Sequence, residues 1–187
     1  MRLRVVLAAV LALVSCGALA TIVVAEKKND GRSVRVVLRN ADGAAVGVVT
    51  MRARTASAPV SVRVNVRGLT PSFHGFHVHA VGRCEAPTFM SAGGHLGAGA
   101  TNHGMHPGDM PSLLVKRNRT ATLSFTTDGF EIGDLRDSDG SAVMVHADAD
   151  NFANIPPRYA PGGPDQATLD TGDSGARVAC GRVAPAR

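Results

Sequence analysis

The chain of 187 residues has no tryptophan, one tyrosine and six phenylalanines. Pockets for organic ligands are lined mostly by apolar and aromatic side chains, so a pocket of that kind is not expected here. Lysine is scarce as well, and the arginines are spread along the sequence with no lysine-rich block and no interleaved aromatics. That pattern argues against nucleic-acid binding, which needs a concentrated basic stripe. No stretch beyond residue 25 sustains a 3.6-residue apolar period, so long amphipathic helices are excluded. The formal net charge of +5 includes Arg2 and Arg4, and a chain starting after Ala25 would carry +3. A mild positive charge suits a small anionic substrate and fixes nothing further.

Histidine is where the sequence is rich. Six of its seven histidines fall into three groups. His77 and His79 flank Val78 in an alternating stretch. His95, His103 and His106, with Asp109, lie in a glycine-rich segment, and His146 ends the apolar run AVMVH. On a strand, side chains at i and i+2 share one face, which brings the imidazoles of His77 and His79 together. Imidazole suits copper and zinc, so the expected chemistry is inorganic. His74 falls on the opposite strand face and reads as structural.

The first 25 residues read as a targeting segment, with a short basic start at Arg2 and Arg4 and an apolar run over 5–25. Three routes are open. The run is long enough to cross a bilayer of roughly 30 Å uncleaved. Leu13-Val14-Ser15-Cys16 resembles a bacterial lipobox, which would attach lipid at Cys16. Simple cleavage after Ala20 or Ala25 is the third. Each route places the following domain outside the cytoplasm. Three cysteines is an odd number, which an exported chain has to account for. With Cys16 lipidated, Cys84 and Cys180 remain as a pair, and an oxidising compartment favours a disulfide between them over two separate buried thiols.

After a polar linker, 26–32, the chain reads as short strands separated by turns. The expected strands are 33–39, 47–54, 60–69, 75–79, 113–116, 120–126, 142–146 and 177–183. Val60 to Leu69 alternates strictly, and Asn40-Ala41-Asp42-Gly43 and Asn118-Arg119 are turn signals. The fold expected for 33–187 is all-β, an eight-stranded Greek-key barrel or sandwich. Two long segments, 82–110 and 147–176, interrupt it. Each follows a histidine-bearing strand, and loops of that length are usually functional.

Taken together, GFHVHAVGRC, SAGGHL, NHG, HPGD, VMVHADADN and GDSGARVACG resemble the copper/zinc superoxide dismutase family, in that family's order and over essentially all of residues 33–184. The resemblance implies an exported enzyme that converts superoxide anion to dioxygen and hydrogen peroxide by Cu(II)/Cu(I) cycling. It implies one copper per chain on His77, His79, His95 and His146, and one zinc on His95, His103, His106 and Asp109, with His95 shared. Asp150 would accept hydrogen bonds from one histidine of each metal. Arg177 would stand beside the open copper face to attract and orient superoxide, and His95 would carry a proton.

The match departs in two places. His106 follows His103 by only three positions, a shorter gap than is usual, so the zinc residues form a compressed H-x-x-H-x-x-D run. Pro107-Gly108 permits the required sharp turn; the alternative is a copper-only site with His106 facing solvent. The second long segment carries the insertion NIPPRYAPGGPDQ, whose acids and Arg158 could alter the field over the copper. Other functions compatible with this pattern are a non-catalytic copper-binding or copper-delivery domain on the same fold and an envelope zinc-binding module. No surface is marked for self-association, so monomer and homodimer stay open.

Overall fold

The computed structural model describes residues 32–186; the readings on 1–25, on Cys16 and on most of the linker lie outside the described residues. Eight strands run in chain order as β1 (Ser33–Arg39), β2 (Ala45–Arg52), β3 (Val60–Arg67), β4 (Phe73–His79), β5 (Asp109–Leu114), β6 (Thr120–Thr127), β7 (Ser141–His146) and β8 (Arg177–Val183). They form one antiparallel sheet in the order β5-β4-β7-β8-β1-β2-β3-β6. The outermost strands β5 and β6 approach each other, so the sheet curls into a nearly closed barrel. Greek-key connections place β4 beside β7 and β3 beside β6.

Strand formation follows from the alternation of β-branched residues. In β3 the odd–even pattern is complete: Val60, Val62, Val64 and Val66 are buried while Ser61, Arg63, Asn65 and Arg67 are exposed. These valines meet Val36, Leu38, Val49, Met51, Phe76, Val78, Leu113, Val143 and Val145 in one core. The turn after β1 closes as its residues predict, with Asn40 Oδ1 accepting from the Ala44 amide and Gly43 at φ 79°. Arg119, in the turn before β6, sits at φ 64°.

Two strands, β4 and β7, lose the alternation almost entirely. Every residue of β7 is buried, and so is every residue of β4 after Phe73. Their inner positions, Phe76, Val78, Val143 and Val145, join the barrel core. Their outer positions are covered by the long segments, where Phe89 and Ala92 pack on Ala142, Met144 and Cys180. A disulfide between Cys84 and Cys180, 96 positions apart, ties the first segment to β8.

Beyond shifts of one or two residues at the ends of β2, β3, β4, β6 and β7, sequence and structure differ at two elements. β5 begins at Asp109, earlier than the expected 113, because Asp109 pairs with His77 across the sheet. The second long segment is not wholly irregular: it holds a helix, α1 (Gln166–Thr171). Asp165 caps its first turn by accepting from the Thr168 amide, and Gly172 ends it at φ 62°. Both are ordinary helix boundary signals, hidden in a stretch too short to show a period.

Candidate metal centre

Register in the sheet builds the site. His77 and His79 project from the outer face of β4, and His146 ends the neighbouring β7, where a bulge between Val145 and His146 shifts the pairing with β8. His95 arrives from the first long segment and pairs with His79 as an isolated bridge; the Leu96 amide donates to the Val78 carbonyl. All four histidines are buried.

The second nitrogen of each strand histidine is spoken for. His79 Nδ1 donates to the Gly93 carbonyl at 2.9 Å, His146 Nδ1 to the Gly175 carbonyl at 3.1 Å, and His77 Nε2 to Asp150 Oδ2 at 2.6 Å. An oxygen acceptor fixes the proton on the nitrogen that faces it. The other nitrogens therefore carry lone pairs. His79 Nε2 and His146 Nε2 face each other at 3.2 Å, and His77 Nδ1 is buried with no partner. Buried polar atoms are almost always satisfied, so these call for an electrophile between them. Ligand atoms of His77, His79, His95 and His146 all lie within 4.8 Å of one another.

A second convergence surrounds Asp109. Its Oδ2 accepts from the amides of Gly104 and His106 at 2.7 and 3.0 Å, which turns Oδ1 inward. Oδ1 lies 3.2 Å from His95 Nδ1, 3.2 Å from His103 Nδ1 and 3.5 Å from His106 Nδ1. A metal with bonds of about 2.0 Å in a tetrahedron sets its ligands about 3.3 Å apart, and these separations fit that edge. His103 Nδ1 and His106 Nδ1 are buried and lack hydrogen-bond partners. Their opposite nitrogens are taken: His103 Nε2 donates to Asp150 Oδ1 at 2.8 Å and His106 Nε2 to the Thr101 carbonyl at 2.9 Å. His106 is buried rather than facing solvent. It is nonetheless the loosest member. The four that mutually approach within 4.8 Å on this side are His77, His95, His103 and Asp109.

Asp150 joins the two groups. One oxygen accepts from His77 and the other from His103, and the Phe152 amide also donates to it at 2.7 Å. Despite burial, these hydrogen bonds hold its carboxyl well below the usual carboxylate range. Against the desolvation of its own burial, the carboxylates of Asp109 and Asp150 raise His103 to about 9. Burial, reinforced by the nearby His77, depresses His146 to about 3; burial lowers His95 to about 4. His79 is lowered for the same reason. These three rings are neutral at pH 7 and available to a metal.

Above His95 and His146 lies an open cleft of about 750 Å³ with Arg177, Met90, Asp170 and Asp173 on its walls. Arg177 donates to the carbonyls of Phe89 and Gly93 at 2.7 and 2.6 Å, so its guanidinium is fixed in the wall. Arg158 lies instead over the Tyr159 ring, 4.9 Å from its centroid. The acids that reach the mouth are Asp170 and Asp173 from α1 and its end. The clamping carbonyls of Gly93, Thr101 and Gly175 were not legible beforehand, since a main-chain acceptor leaves no mark in side-chain identity.

The sequence pattern of copper/zinc superoxide dismutases matches residues 45–183. The chain belongs to that family. Superoxide dismutase [Cu-Zn] of Mycolicibacterium paratuberculosis is 42% identical over 167 residues, covering 81% of this chain and 74% of that protein. The Caulobacter vibrioides protein of the same name is 32% identical, covering 81% and 85%. Among solved structures, the Cu/Zn superoxide dismutase from Brucella abortus superposes with a TM-score of 0.61 at 27% identity, covering 81% of this chain and 99% of that one. A SOD-like protein from Bacillus subtilis gives 0.63 at 28%, covering 79% and 96%. His95 belongs to both groups of converging ligand atoms, and the Cys84–Cys180 disulfide anchors the segment that carries it.

His74 takes no part in either convergence. Its ring nitrogens lie 2.6 and 2.7 Å from the carbonyls of His146 and Thr70, a structural tie, as its strand face implied.

Proposed function

We propose that the chain is an exported superoxide dismutase with copper on His77, His79, His95 and His146, and zinc on His95, His103, His106 and Asp109. The observation that carries this reading is the set of inward lone pairs whose partner nitrogens are all committed to oxygen acceptors. Copper held by these residues would supply one-electron redox chemistry between Cu(II) and Cu(I), the chemistry by which two superoxide anions and two protons give one dioxygen and one hydrogen peroxide. The rest is the work of the chain. Arg177, fixed by two carbonyls, presents a planar cation that binds and orients an anion at the cleft floor. His95 turns Nδ1 toward Asp109 and lines the cleft, and its other nitrogen, Nε2, is the one left to hold and release a proton. Asp150 keeps His77 and His103 in one tautomer each. Burial of the histidines beneath two segments excludes bulk water from all but the cleft.

Retention of all four histidines together with Arg177 disfavours a copper-delivery domain, which has no use for an anion-orienting arginine. The decisive measurement is metal per chain, after loading with both metals and stripping the excess, alongside superoxide consumption. One copper and one zinc with activity is the expected result. Copper without zinc removes His106 and Asp109 from the metal residues, and absence of tightly held copper overturns the reading. The Cys16 motif supports a lipid anchor in the cell envelope. Cys16→Ala should then abolish fatty-acid labelling, and unchanged labelling would refute it.

A further inference from the structure

Four arginines that look scattered in the sequence, Arg35, Arg52, Arg63 and Arg67, are gathered by the barrel onto one side. Strands β1, β2, β3 and β6 contain no acidic residue. Their outward positions line up across the sheet in rows: Ser33, Arg52, Ser61 and Thr126; then Arg35, Thr50, Arg63 and Ser124. Arg67 follows, opposite Thr120. Arg35, Arg52, Arg63 and Arg67 are exposed, and no carboxylate among the described residues pairs with them. Arg35 and Arg63 sit two strands apart, about 10 Å at the usual strand spacing. Shallow grooves between them are lined by Thr50, Ser61 and Asn65. Guanidinium groups interspersed with hydroxyl and amide donors match the oxygens of phosphate.

We propose that this β1–β2–β3 face docks on the anionic phospholipid surface of the membrane. Three observations single out a bilayer. First, the chain outside the described residues carries the apolar run 5–25 and joins the barrel beside this face. Arg32 enters β1 with its guanidinium on the Arg54 carbonyl and its own carbonyl accepting from Ala53. Secondly, the outward positions of β1–β3 hold no aromatic side chain on which bases could stack. Thirdly, charge is segregated. Residues 128–176 contain ten acids and only two arginines, Arg136 and Arg158, and two of those acids, Asp170 and Asp173, stand at the cleft. An anionic surface attracts the acid-free arginine face and repels the acids at the cleft.

The consequence is orientation. In the eight-strand order, β2 and β3 lie four places from β4 and β7, which is the opposite side of the barrel. Docking through the arginines turns the cleft with His95, His146 and Arg177 away from the lipid and toward solvent-borne superoxide. The proposal takes from the envelope location only the proximity of a membrane, and its test is run on vesicles, so Cys16 and the dismutase reading can each fail without it.

The experiment follows the full chain as it distributes between two vesicle populations of equal area, one of phosphatidylcholine and one with about 30 mol % phosphatidylglycerol. Any contribution of residues 1–31 is common to every variant. The quadruple variant R35Q/R52Q/R63Q/R67Q should lose about tenfold or more of the preference for anionic vesicles. The charge-matched variant R83Q/R136Q/R158Q/R182Q should keep it. High salt should abolish the difference. Both variants should retain metal content and activity, which shows that they fold. Equal preference in wild type and the quadruple variant overturns the proposal, as does an equal loss in both variants. Retention on soluble polyphosphate with no vesicle preference overturns it in favour of a soluble polyanion.

Discussion

Asp150 is a buried carboxylate with both oxygens committed to imidazole, one on each side of the proposed bimetal centre. Partners of this kind orient metal-binding rings, and losing one typically weakens metal binding about 10–100-fold. Asp150→Asn keeps the volume but puts an amide where an acceptor is needed. The expected outcome, read by competition with a chelator, is weaker retention of both metals, because His77 and His103 are released together. Arg177 acts differently. It touches no ring nitrogen, and its two carbonyl partners hold it in the cleft wall. Arg177→Ile should leave copper content unchanged, slow superoxide consumption by about tenfold, and flatten the salt dependence of the rate. Full activity with an unaltered salt profile would show that the arginine does not guide the substrate.

The segment 147–176 is stiffened by a single short helix, and where that helix stops matters for the metals. Gly172 takes φ 62°, and a side chain there would run into Asp150 Oδ1 and His103 Nε2. Gly172→Ala adds left-handed strain, about 1 kcal/mol or more, and pushes against the Asp150–His103 hydrogen bond. Zinc retention should fall further than copper retention, since His103 lies on the Asp109 side. Gly163 provides the contrast: its φ of 82° is equally left-handed, but nothing stands near the added carbon. Gly163→Ala should cost stability and leave metal content alone. Equal zinc loss in the two variants would mean that backbone strain, not the contact with Asp150, is responsible.

Across the whole molecule the metal-free chain carries opposed ionisation demands. His146, at about 3, and His95, at about 4, are lowered from about 6.5 by burial. Such groups stabilise the fold fully above their unfolded value, and that stabilisation is lost as pH falls from about 6.5 toward 4. His103, raised to about 9 by two carboxylates despite its burial, works in the other sense. Its contribution is complete below about 6.5 and fades as pH climbs through about 9. Thermal unfolding of the stripped protein should therefore show a maximum near neutrality with losses on both sides. Reloading with copper and zinc should raise the melting temperature more as pH rises from about 4 toward about 9, because the metals bind deprotonated imidazole and His103 must give up a proton to bind. A melting temperature that is flat between pH 4 and 7 would mean that these histidines are not held neutral by the fold.

Much of this was legible from residue order alone. Valine alternation in β3, the turn at 40–43 and the i, i+2 pair His77/His79 depend on local geometry, and local geometry repeats wherever the same residues stand. The pairing of Cys84 with Cys180 followed from compartment and count, given lipid on Cys16. Register between distant strands is different, because it depends on which surfaces bury best together. That is what set His146 against His79, drew Asp109 into β5 opposite His77, and placed Gly93 where one carbonyl serves both His79 and Arg177. It also decided the distribution of charge. Arg35, Arg52 and Arg63 are separated in sequence by 11 to 17 positions, so they read as dispersed. The pleat turns all three outward, and pairing across β1, β2 and β3 makes them neighbours. The sequence by itself determined the ligand chemistry and the strand-forming pattern; only the closed sheet decided which charges share a face and which lone pairs meet.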